Sequence, residues 1–252
     1  MTTLLSLPDD LLMKVFLRVA NPNHNRPNER SDLSALPLTC RYFRDMFRGA
    51  VFFADFLANA FGSCGKAVCV AACYGKTEVV RNLCGRRLDN VNAVYALHGA
   101  SRNGHVEVVR TLLEHGADAG ADDNRLPLHV ASKNGHVNVV RILLEHGADA
   151  RGFTAMWLAS KYGHVEVVRT LLEHGADNLY SGLLYACEHG HVEVVRLLLE
   201  HGADSGAYDN RALRLASQNG HVEVVRTLLE HGADAGADYN SALHVASQNG
   251  HV

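Results

Sequence analysis

The phrase NGHVEVVRTLLEHGAD stands at residues 103–118 and returns, without a changed letter, at 219–234. Its Gly-His anchor recurs at Gly104, Gly135, Gly163, Gly190, Gly220 and Gly250, at nearly even spacing. A degraded copy, YGKTEVVRNLCG, puts its glycine at Gly75, one period before the next. Seven copies are visible, and the last stops at NGHV. A short, regular period of this kind points away from a core closed on itself. Each unit is too small to bury its own apolar face and must stack on neighbours of the same kind.

Each copy reads as two short helices. In HVEVVRTLLEH (105–115), Val106, Val108, Val109, Leu112 and Leu113 trace one face at helical spacing. Glu107 and Arg110 lie three apart on the outer face, a pairing worth a few tenths of a kcal/mol. Gly116 supplies the left-handed stop, and Asp118 opens the next turn. The partner helix is short and rich in small residues, as in LHVASKN (128–134), where Ala131 and Ser132 permit close approach.

This pattern resembles the ankyrin-repeat family, on LPLHVASKNGHVNVVRILLEHGAD, ALRLASQNGHVEVVRTLLEHGAD and ALHVASQNGHV. The resemblance covers residues 65–252 and implies an all-α solenoid of about six full repeats plus one truncated. The chain departs from the family in its period, which is shorter than the family's usual repeat throughout. Of the prolines that commonly open the first helix, Pro127 survives. The missing residues fall between repeats, as in GADARGFTAMW (147–157), so the projecting finger should be short and the groove and helix faces should carry more of any recognition. Such short repeats resemble those of large DNA viruses, protists and some fungi.

Residues 1–48 do not repeat. In LSLPDDLLMKVFLRV, Pro8 and the acidic Asp9 and Asp10 suit a helix start, and Leu11, Leu12, Val15, Phe16 and Val19 form a stripe. After a polar loop (21–30), SDLSALPLTCRYFRDMF offers Leu33, Leu36, Leu38, Cys40, Phe43 and Met46. So few residues cannot bury all of these alone. The segment resembles the F-box, on Leu7-Pro8 opening the helix, Leu33, Leu36, and Cys40-Arg41 with Phe43. That resemblance implies a small helical domain whose apolar positions Leu7, Pro8, Leu11, Leu12, Val15, Phe16, Leu33, Leu36, Leu38, Cys40 and Phe43 grip a Skp-type adaptor. The adaptor would in turn link the chain to a cullin–RING ubiquitin ligase core. The loop is longer than is usual for the family, and Phe43 stands where tryptophan is common. A second reading makes the same helices a cap over the first repeat. A connecting helix is expected over 49–64.

Chemistry-bearing residues are numerous but scattered. Of sixteen histidines, eleven occupy the two repeated slots: His105, His136, His164, His191, His221 and His251, and His115, His146, His174, His201 and His231. Metal ligands must converge, whereas a solenoid period spreads them along an axis, so no metal site is expected. Their joint protonation predicts destabilisation below about pH 6. Four of the six cysteines fall within 64–84, but no C-x-x-C pair exists, and Cys69 and Cys84 align with packing positions. GKT (75–77) lacks the upstream glycine and strand of a phosphate loop. No nucleophile sits in a catalytic setting, so neither enzyme activity nor a cofactor is expected. The net charge of −3 gives no electrostatic reason to expect nucleic acid. No apolar run approaches the roughly 20 residues of a membrane span, and the N-terminus has no secretory pattern. A cytoplasmic or nuclear monomer is expected, in a host cytoplasm if the source is viral.

If the frame is constant, specificity must lie where copies differ. The first-helix histidine slot holds Cys69, His98, His129, Trp157, Leu184, Arg214 and His244. The two places before Gly-His hold Arg102-Asn103, Lys133-Asn134, Lys161-Tyr162, Glu188-His189 and Gln218-Asn219. Loops add Arg125, Phe153, Tyr180, Tyr208, Arg211 and Tyr239. By resemblance these line the face that would hold a target protein: His98, Arg102, Arg125, His129, Lys133, Trp157, Lys161, Tyr162, Tyr180, Tyr208, Arg211, Arg214, Gln218 and Tyr239. Trp, Tyr and Arg dominate protein interfaces. In a second reading Trp157 and Phe153 fill space left by a shortened loop, and the polar set is simply solvated. The broken last copy lacks its second helix, which predicts fraying after about residue 240 or a chain cut from something longer.

Overall fold

The computed structural model describes residues 64–85, 90–120 and 127–251. The proposed adaptor-binding positions from Leu7 to Phe43, residues 49–63 of the connecting helix and Arg125 lie outside these residues. Every regular element among the described residues is a helix. In chain order these are α1 (Cys64–Cys73), α2 (Thr77–Cys84), α3 (Asn90–Arg102), α4 (Val106–Glu114), α5 (Pro127–Lys133), α6 (Val137–Glu145), α7 (Phe153–Lys161), α8 (Val165–Glu173), α9 (Leu179–His189), α10 (Val192–Glu200), α11 (Ala207–Gln218), α12 (Val222–Glu230) and α13 (Ala237–Gln248).

Odd-numbered helices pack on one another in one layer, even-numbered ones in a second, and each pair packs across. Every helix from α2 to α12 places one large side chain in the seam between layers: Leu83, Leu97, Leu112, Leu128, Leu143, Met156, Leu171, Leu183, Leu198, Leu213 and Leu228. The core is thus a ladder with one rung per helix, and it follows from the period of the sequence. Ala131 and Ser132 are fully enclosed, as are Ala159 and Ser160, which lets adjacent odd helices approach closely. On the outer layer, i,i+3 pairs join Glu78 to Arg81, Glu166 to Arg169, Glu193 to Arg196 and Glu223 to Arg226. All are exposed and contribute little.

The even helices stop as their sequence indicates. Gly116 is left-handed at φ 86°, and the N–H of Ala117 donates to Leu112 O at 3.0 Å. Gly120 N–H then donates to Asp118 Oδ1 at 2.9 Å, forming the expected turn. The C-terminus departs from expectation in one respect. Helix α13 continues to Gln248, past the point where the sequence predicts fraying, and packs on α11. Asn249 Nδ2 and His251 Nε2 both donate to Gln218 O, at 3.1 and 3.2 Å, and tie the end down. Its outer face is nonetheless uncovered: Leu243, the counterpart of enclosed Leu213, is 62% exposed, and Val222 and Leu229 are exposed as well.

Candidate functional site

The two histidine series perform two different structural tasks. Each Gly-His histidine reaches back one repeat and donates from Nε2 to the carbonyl two places before the preceding anchor glycine. His105 bonds Cys73 O at 3.0 Å, His136 Arg102 O at 3.1 Å, and His164 Lys133 O at 2.9 Å. His191 bonds Lys161 O at 2.9 Å, and His221 bonds Glu188 O at 3.0 Å. The ring lies flat against the previous glycine, so a Cβ on Gly163 would sit 2.6 Å from His191 Nδ1. Glycine is required there twice over, for a left-handed φ of 73° and for the ring above it.

The second series closes helix C-termini. His115, His146, His174, His201 and His231 each donate from Nδ1 to a carbonyl one helical turn back, at 2.8 Å. His129 lies outside both series, and burial holds its imidazole below its ordinary value. No group of three or more His, Cys, Asp or Glu residues able to hold a metal occurs among the described residues. Among the described cysteines Cys84 and Cys187 are buried, and desolvation pushes the Cys187 thiol up to about 12. Burial raises Cys73 too, opposed by the nearby Arg102 guanidinium. Cys69 donates to Asn92 O at 3.4 Å.

The variable slots form three groups along the odd helices. The first lies over α1 and α3, where an open cleft of about 760 Å³ brings His98 and Arg102 together with Cys69, Cys73, Tyr74 and Tyr95. The second is aromatic. Trp157 stacks on Phe153 at 6.0 Å between centroids and leans on Tyr185 at 5.4 Å. Lys161 Nζ stands 6.0 Å from the Trp157 ring, and Lys133 Nζ 5.6 Å from that of Tyr162. Phe153 is 48% exposed, so it does not fill the space of a missing loop, whereas Trp157 is half-buried with its indole N–H enclosed. Slot alignment does not single out Tyr185, although it shares the repeat of Leu184 and stands next to it, just beyond the histidine slot.

The third group lies at the starts of α9, α11 and α13. Tyr180 and Tyr208 meet at 4.5 Å between centroids. The neighbouring side chains shield the Tyr180 hydroxyl locally and raise its pKa, against the pull of Arg211 and Arg214. Arg214 Nη1 donates to Asp238 Oδ2 at 2.9 Å, joining α11 to the start of α13. Tyr208, Asp209 and Asn210 form a left-handed turn at φ 50°, 54° and 56°, and Asp238, Tyr239 and Asn240 repeat it at 49°, 56° and 61°. Each such residue costs about 1–2 kcal/mol, least for Asn and Asp. Part of that cost is offset where Asn210 Oδ1 accepts the Asp234 N–H at 2.8 Å. The turns carry Tyr208 and Tyr239 outward, Tyr239 to 98% exposure. Clusters of Asp and Asn with tyrosine are the available signal for this geometry, which periodicity cannot give. Gln218 is exposed at the end of α11 and joins neither aromatic group.

No helix among the described residues is long and apolar enough to cross a membrane. No curated protein matches the chain. Among solved structures, the crystal structure of the human ASB11 ankyrin repeat domain is similar, at 26% identity and a TM-score of 0.61. That match covers 71% of this chain and 96% of the other. The family model for Ankyrin repeats (3 copies) matches residues 52–123, 118–181, 178–239 and 209–252. With this match over most of its length and the stacked helix pairs described above, the chain belongs to the ankyrin-repeat family of protein-interaction scaffolds.

Proposed function

We propose that the chain is a non-enzymatic substrate receptor of an SCF-type cullin–RING ubiquitin ligase. Residues 1–48 recruit a Skp-type adaptor, and the repeats hold a target protein beside the ligase core. The carrying observation is the order of modules: Leu7-Pro8, the stripe Leu11, Leu12, Val15 and Phe16, and then Leu33, Leu36, Cys40 and Phe43 precede a recognition solenoid. Ubiquitin transfer belongs to other subunits. Holding the target close raises its effective concentration at the transfer site, so this chain needs no reactive group. A second reading, a plain ankyrin scaffold or inhibitor with an N-terminal cap, is favoured by one fact: the family match begins at residue 52.

Co-purification with a Skp-type adaptor separates the two. Wild type is expected to retain the adaptor, and Leu11→Asp with Phe16→Asp to lose it while the helical circular dichroism of the repeats is unchanged. A wild-type chain that captures no adaptor leaves the scaffold reading.

A further inference from the structure

Three consecutive repeats present one cation each at the same register. Arg102 ends α3, Lys133 ends α5 and Lys161 ends α7. The carbonyl of each accepts the histidine bond of the following repeat, so the three backbones are pinned to the solenoid period. Packed helices generally stand about 8–10 Å apart, which sets the step expected of the ladder. The ion pairs formed among the described residues engage Arg81, Arg169, Arg196, Arg214 and Arg226, and none of these three. Positive charge is therefore concentrated locally on a chain of net charge −3. Glu188 reverses the sign in the next repeat, and Gln218 and Gln248 follow it. The ladder has three rungs.

An aromatic platform lies at its end. Lys133 stands over Tyr162 and Lys161 over Trp157, and Phe153 stacks on Trp157 with its ring exposed. The enclosed Trp157 indole N–H has no acceptor from the protein.

We propose that the face formed by the ends of α3, α5 and α7 binds a polyproline II segment of a partner protein that carries a carboxylate at every third residue. An apolar side chain beyond the last carboxylate rests on Phe153 and Trp157. This rests on the reading of the repeats as the target-binding module and names the chemistry of the target. A polyproline II helix has three residues per turn and rises about 3.1 Å per residue, so every third side chain shares a face about 9 Å from the last. That spacing matches one helix-to-helix step. Carboxylates at every second or fourth residue fall out of step and off the face.

Trp157 is the sole tryptophan, so its emission reports the site directly. The full chain is titrated with a proline-rich decapeptide bearing three Glu, one at every third position, and a terminal Phe. Isomers of equal charge, with Glu at every second or every fourth position, serve as comparison. The first peptide is expected to shift Trp157 emission and to bind at least about tenfold more tightly than its isomers, with affinity falling as salt is raised. Lys133→Glu with Lys161→Glu should abolish that binding and confer binding of the matching Lys peptide, at unchanged circular dichroism. Equal binding of all isomers, an equal response to single-stranded nucleic acid, or a charge-reversed variant that still binds the Glu peptide would overturn the proposal. Adaptor co-purification is scored separately. Loss of peptide selectivity with the adaptor retained rejects this inference alone, and the converse rejects the ligase role alone.

Discussion

Replacing Gly163 by alanine should cost more than replacing Gly175, although both sit in left-handed backbone, at φ 73° and 84°. At either position alanine bears about 1–2 kcal/mol for its conformation, partly offset because it stiffens the unfolded chain by about 0.4–1 kcal/mol. Around Gly175 there is open space, so about 1 kcal/mol is the whole effect. At Gly163 the new Cβ would lie 2.6 Å from His191 Nδ1 and 2.8 Å from Cε1, and the ring must swing away. Its bond to Lys161 O at 2.9 Å is then lost, at about 1 kcal/mol more. The expected losses are about 2–3 kcal/mol for Gly163→Ala and about 1 kcal/mol for Gly175→Ala, read from urea unfolding followed by circular dichroism. In a His191→Ala background the excess at Gly163 should vanish, because the clash and the bond have both gone. Equal losses at the two glycines, or an excess that persists without His191, would refute the account of the Gly-His pair as an inter-repeat latch.

Two further expectations follow from burial. Burial holds His129 below its ordinary value of about 6.5, so as pH falls through that value the unfolded chain takes up a proton before the folded chain does. Stability is full above that value, falls as pH drops through it, and levels off once pH reaches the folded value. His129→Gln should therefore lose less melting temperature than wild type between about pH 7.5 and 5.5, and equal losses would reject the assignment. Leu213 and Leu243 occupy equivalent places in α11 and α13, but Leu213 is 1% exposed and Leu243 62%. Leu213→Ala should cost about 2–5 kcal/mol and Leu243→Ala less than about 1 kcal/mol in the same unfolding assay, and similar costs would show the end of the array to be covered.

The frame is legible in the sequence because its determinants are local and repeated. Val106, Val108, Val109, Leu112 and Leu113 announce a helix face, and Gly116 and Asp118 announce its end, without reference to distant contacts. The role of His164 is not legible, since its acceptor on Lys133 lies a full repeat away and belongs to the backbone. The aromatic group is half visible. Trp157, Lys161 and Tyr162 stand out as departures in aligned slots, whereas Tyr185 joins them only when α9 is laid beside α7. The left-handed turns at Tyr208–Asn210 and Asp238–Asn240 stand one repeat apart, yet the helical periodicity of the copies does not give their backbone. Their composition marks a turn but not its hand.

The uniformity of the latch bears on how such a surface can select. Arg102, Lys133 and Lys161 each give their carbonyl to the same histidine bond, at 2.9 to 3.1 Å, so their separations cannot adjust independently. A groove built this way adapts poorly to the length or curvature of a ligand, and discrimination falls on the register of charges along it. Glu188 occupies the fourth place with the opposite sign, and its own carbonyl is pinned by His221 at 3.0 Å, so the acidic partner proposed above could not slide by one repeat without placing an acid against an acid. Like charges juxtaposed at an interface penalise the wrong alignment and so add to discrimination. The constant phrase thereby acts on specificity without touching a ligand. It fixes the distance at which the variable residues must be matched.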